Sequence, residues 1–112
     1  MKTYTDFEQS KKLAEILPIE SADSYYYYNC FVDDYKIFPT IIEEDDHFKL
    51  FPRDIPCWSL AMLLDIYPMI VGRDMGMYCC WQNSKHLCSR HYDNPIDACY
   101  EMILKLKEKN LL

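Results

Sequence analysis

Apolar and polar positions alternate along the chain in a way that marks helical and extended stretches. Phe7, Ser10, Leu13/Ala14 and Leu17 recur at helical spacing. They lie between a capping-box pattern, Thr5 to Glu8 in TDFE, and Pro18, which predicts an amphipathic helix stopped by the proline. Two β-prone runs follow, SYYYYNCFV and DYKIF, with a hairpin turn expected at Asp33-Asp34. EEDDHFKLFPRD (43–54) has no clear period and reads as a loop or irregular edge. CWSLAMLLDIY (57–67) is polar only at Ser59 and Asp65, so a helix is expected there, entered through Pro56, ended before Pro68 and buried on most sides. MIVGR, GMYCCW and HLCSRHY then read as strands, the last two joined by Gln82–Lys85. Asn94 as N-cap, Pro95 in the first turn and Asp97 as a short capping acid open a final helix. Ile96, Cys99, Ile103 and Leu106 line its core face, and Lys105, Lys107 and Lys109 sit where the helix dipole favours cations. The expected order is α-β-β-α-β-β-β-α. That is an α+β fold in a single domain over 1–112, a mostly antiparallel sheet of about five strands packed by three helices.

Composition sharpens this picture. Half the residues are hydrophobic, 15% are aromatic and only two are glycine, which argues for a folded chain. The opening MKTYTDFEQSKK lacks an apolar signal core, and Asp65 and Pro68 interrupt the longest apolar stretch. A cytoplasmic protein is expected, with no membrane partner and with its six cysteines reduced. Charge is lopsided: residues 1–54 hold twelve acids and six bases, whereas 55–112 hold six of each. Within 15–46, nine acids face Lys36 alone. Such a surface repels phosphate backbones, so direct nucleic-acid binding is disfavoured.

Three stretches, TDFEQSKKLAEILPIESAD (5–23), IPCWSLAMLL (55–64) and NPIDACYEMILKLKEKNLL (94–112), together cover less than half of the chain. They resemble a group of small uncharacterised proteins from gut Bacteroidales genomes and their phages or mobile elements. The resemblance implies a bacterial or phage cytoplasmic setting and carries over no activity, cofactor or catalytic residue.

The densest candidate chemistry is CCWQNSKHLCSRH (79–91), with three cysteines and two histidines. With Asn83-Ser84 at the tip, Trp81 faces His86, Cys80 faces Leu87 and Cys79 faces Cys88. Alternation then sets Cys79, Trp81, His86, Cys88 and Arg90 on one face and Cys80, Leu87, Ser89 and His91 on the other. Five ligand-type residues split across a sheet do not surround one tetrahedral ion. Without a CxxC knuckle, the favoured reading is small side chains packing in a hairpin, with no cofactor. The alternative is a zinc- or thiol-dependent protein using Cys79, His86 and Cys88. No orienting carboxylate, phosphate loop or catalytic signature accompanies these residues, so no catalytic residue is assigned and a non-enzyme is expected.

The tyrosine run supplies the other candidate. In a strand Tyr26, Tyr28 and Cys30 point one way and Tyr25, Tyr27 and Asn29 the other, so one tyrosine pair is left to face solvent or a partner. Tyr25 and Tyr27, with Asp33, Asp34, Glu43, Glu44, Asp45 and Asp46, form an expected partner-binding surface, acidic and aromatic. The best-matched partner is another protein of basic character, with an acidic decoy for a DNA-binding site as one version. An exposed sheet or helix face rich in Tyr and Met also allows a homo-oligomer.

Overall fold

The computed structural model describes residues 2–42, 50–82 and 86–112. Helix α1 (Phe7–Ala14) is capped one residue later than the TDFE pattern implies. Asp6 is the N-cap: its carboxylate accepts from Gln9 N at 2.8 Å, and Gln9 Oε1 accepts from Asp6 N at 3.1 Å. Thr5 is withheld from capping because it is fully buried. Its hydroxyl meets Ser10 Oγ at 2.8 Å and accepts from Trp58 N at 3.1 Å, while its carbonyl accepts from the Tyr26 hydroxyl at 2.9 Å.

After a 3-10 turn (Ile19–Ser21) come five short strands: β1 (Ser24–Tyr26), β2 (Tyr28–Asn29), β3 (Asp34–Tyr35), β4 (Thr40–Ile41) and β5 (Ile55–Cys57). Helix α2 (Leu60–Ile66) follows, then β6 (Ile70–Asp74), β7 (Met77–Gln82), β8 (Leu87–Cys88) and helix α3 (Pro95–Glu108). The fold is α+β and every strand pair is antiparallel. The expected single sheet is instead three small ones among the described residues: β4-β1-β5, β2-β3 and β6-β7-β8. The division falls at Tyr27, where the tyrosine run leaves β1. The next amide, Tyr28 N, donates to the Asp54 carboxylate at 3.0 Å, so a side chain takes the place of a ladder bond.

Two further expectations are corrected. Residues 55–57 pair with β1, so α2 starts at Leu60 rather than at Cys57. Pro56 is tolerated there because β5 is an edge strand, where a missing N–H costs no ladder bond. Ser59 caps α2, accepting from Met62 N at 3.4 Å. The turn of the β2–β3 hairpin is also displaced: residues 30–33 form it, with Asp33 at φ 51°, and Asp34 already belongs to β3.

Helix α3 organises the core as its periodicity implies. Ile96, Ala98, Cys99, Met102, Ile103 and Leu106 are fully buried with Leu13, Trp58, Leu63 and Cys80. Its N-cap is Asn94, whose side chain accepts from Asp97 N at 2.9 Å, with Pro95 in the first turn. The α1 and α3 N-termini lie side by side. Lys2 Nζ bridges them, 3.0 Å from Asp6 and 2.8 Å from Asp97. Among the described residues no helix is long and apolar enough to cross a membrane.

Candidate functional site

The β2–β3 hairpin and its neighbours form an aromatic finger. Its base is a stack: Phe7 lies 5.7 Å from Tyr26 and 4.8 Å from Tyr35, and Tyr35 lies 5.2 Å from Tyr28. Arg53 sits 4.0 Å over the Tyr28 ring and donates to its hydroxyl at 2.7 Å. That hydroxyl donates to Asp33, which raises the pKa of Tyr28 above the ordinary phenol value. Tyr35 donates to the Arg53 carbonyl at 2.6 Å. Asp54, buried, accepts from Tyr28 N and Phe51 N and so holds the 51–54 turn against the finger.

The tyrosines expected to face a partner are therefore not the most accessible side chains. Tyr25 and Tyr27 are half-buried, and burial raises the Tyr25 hydroxyl pKa. Lys36 Nζ lies 5.6 Å over the Tyr27 ring. Asp33 and Asp34 are exposed at the finger's turn, as the partner-binding expectation requires of them. Glu43, Glu44, Asp45 and Asp46 lie outside the described residues.

The residues that sequence reasoning missed are apolar. Phe31 is 95% exposed, Ile37 85%, Phe38 80%, Phe51 70%, Val32 67% and Ile41 65%. They sit on the finger's turn, on the β3–β4 connection, on β4, which pairs with β1, and on the 51–54 turn, which Arg53 and Asp54 bond to the finger. Ile37 and Phe38, with Lys36, Pro39 and Thr40, border an open recess of about 430 Å³. Exposed apolar side chains gathered in this way mark contact surfaces, whereas a lone exposed Ile means little. The signal in the sequence was the apolar end of DYKIF: read as strand, it is cut short because β3 ends at Tyr35 and leaves Ile37 and Phe38 outside it.

The cysteine-rich hairpin keeps its predicted faces from Leu87 to Ser89 but not its register, and beyond Ser89 Tyr92 rather than His91 lies on the side of Cys80. Trp81 faces Cys88 and Gln82 faces Leu87, a slide of two residues from the expected pairing of Cys79 with Cys88. Cys80 N donates to Ser89 Oγ at 2.9 Å and Ser89 N to the Cys80 carbonyl at 2.7 Å. An extra residue then separates this pair from the Tyr78–Tyr92 bridge, the signature of a β-bulge. Cys79, Trp81, His86 and Cys88 still border one shallow recess. Among the described residues, however, no group of three or more His, Cys, Asp or Glu side chains is placed to hold a metal ion.

All six cysteines are free thiols. Cys57, Cys80 and Cys99 are fully buried. Burial pushes the Cys57 thiol up to about 12, and a hydrogen bond with Cys99 together with burial drives Cys80 upward as well. Thiols held so firmly protonated are poor nucleophiles. No protein-family model, curated protein or solved structure matches the chain.

Proposed function

We propose that this protein is a non-enzymatic interaction module that docks on another protein through its aromatic finger. The observation that carries the reading is the set of six large apolar side chains, each at least 65% exposed, on and beside that finger. Burying two or three such side chains releases about 1.5–3 kcal/mol each, the scale on which a few anchor residues dominate a protein interface. Asp33 and Asp34 border the anchors, and the 15–46 segment holds nine acids against one lysine, so a partner with basic residues around an apolar pocket fits best. The resemblance to proteins of Bacteroidales genomes and their mobile elements supports a bacterial or phage cytoplasm as the setting, where six thiols stay reduced.

The test is capture from a bacterial lysate with wild-type protein and with a Phe31→Asp/Phe38→Asp variant. Both side chains are exposed, so the variant's unfolding midpoint is expected to match wild type. Loss of the captured partner in the variant, and weakening of wild-type capture as salt rises, is the expected result. Identical capture by the two proteins removes the finger from the interface and the reading with it.

A further inference from the structure

Among the described residues, strand β6 is bonded along one side only. Met75 and Gly76, at φ 52° and 82°, form a two-residue turn, which makes Asp74 and Met77 a hydrogen-bonded pair. Alternation then makes Gly72–Cys79 and Ile70–Trp81 the next bonded pairs. Strand β7 requires the same parity, since Cys80 and Tyr78 turn their backbone groups away from β6, toward Ser89 and Tyr92. The N–H and C=O of Val71 and Arg73 therefore point outward, and among the described residues nothing hydrogen-bonds them. Gly72, between them, carries no side chain; a Cβ there would meet the Trp81 ring at 2.6 Å. The Arg73 side chain lies back over Tyr78, 5.6 Å from the ring centroid, and leaves the edge open. An open edge with two unpaired residues and no proline is a template for another strand.

We propose that the strand it takes is β6 of a second copy of this chain, antiparallel, about a two-fold axis at Gly72. Val71 of each copy then forms a hydrogen-bonded pair with Arg73 of the other, and all five residues are paired with no like charges opposed. Sliding the copies by two residues either sets Arg73 opposite Arg73 or leaves part of the strand unpaired. Charge favours a second copy at this edge. The chain's −6 lies entirely in residues 1–54, whereas residues 55–112 carry no net charge. Two copies joined through β6 meet on a strand whose exposed Arg73 and Asp74 offset one another, so no net charge opposes the contact. This contact does not depend on the finger reading.

Sedimentation equilibrium and amide hydrogen exchange on the full chain test it, with an Arg73→Pro variant alongside. Proline at 73 deletes an outward N–H and leaves the β6–β7 bonds intact. The expected wild-type result is a rise to twice the chain mass toward millimolar protein. The Val71 and Arg73 amides slow in parallel, while Gly72 is protected at every concentration. Arg73→Pro is expected to stay a single chain and to keep Gly72 protected. Wild-type protein that remains a single chain with freely exchanging Val71 and Arg73 amides overturns the proposal. So does a dimer that persists in Arg73→Pro, or one abolished by Phe31→Asp. If Arg73→Pro fails to fold, the wild-type exchange pattern decides alone.

Discussion

Thr5 shows how one small polar side chain ties distant parts of the chain together. It joins α1, β1 and the approach to α2 through its hydroxyl, carbonyl and amide, the last donating to the Trp58 carbonyl at 2.9 Å. Thr5→Val keeps the volume but strands the Trp58 N–H in the core and leaves the Ser10 hydroxyl only its longer bond to the residue 5 carbonyl, at an expected cost of about 1–3 kcal/mol in urea unfolding. The neighbouring cap change, Asp6→Ala, is expected to cost only about 1 kcal/mol, because water reaches the groups it frees. Thiols divide by the same logic of access. Native alkylation read by mass spectrometry is expected to modify exposed Cys30 and Cys88 first, half-buried Cys79 more slowly, and Cys57, Cys80 and Cys99 only as the chain unfolds.

Among the elements, cap geometry ranks the helices. Asn94 is buried and holds Asp97 N at 2.9 Å, while Ser59 reaches Met62 N only at 3.4 Å. Asn94→Ala is therefore expected to lower stability by about 1–2 kcal/mol and Ser59→Ala by well under 1, measured by thermal or urea unfolding. The same contrast explains what could be read from sequence. The third helix was legible because its period, cap and proline agree over 14 residues. Strands of two or three residues carry no such redundancy. The tyrosine run looked like one long strand, and only the Asp54 carboxylate, 26 residues from Tyr28, explains why it breaks. In the cysteine hairpin alternation fixed the faces as far as the bulge after Ser89, but the register, two residues from the expected one, goes with Ser89 bonding Cys80 through its hydroxyl. For the candidate surface, charge singled out Asp33 and Asp34, which the fold leaves exposed. The exposed phenylalanines were not singled out because exposure is a property of the assembled fold.

At the scale of the molecule, the Lys2–Asp97 pair closes the fold across 95 residues. Burial opposes both charges. Hydrogen bonds from Lys2, Asn94 and Gln9 nevertheless hold the Asp97 pKa below its ordinary value, and those to Asp97 and Asp6 raise that of Lys2. Their contribution to stability is thus present from the ordinary carboxylate range up to the ordinary lysine range. It is lost as pH falls through the lowered Asp97 value, and again as pH rises through the raised Lys2 value. Lys2→Met is expected to cost about 1–2 kcal/mol at neutral pH and to flatten the alkaline limb of the urea midpoint measured against pH.

Because α3 follows every other described element in the chain, it leaves the ribosome after all of them. At about 5–20 residues per second, the 95 positions between Lys2 and Asp97 correspond to a delay on the order of ten seconds. Until α3 emerges, Leu13, and Trp58 and Leu63 from their own synthesis onward, have no α3 to close over them. The nascent chain, with these side chains added to the finger's own, is the form that chaperones and proteases meet at its most vulnerable.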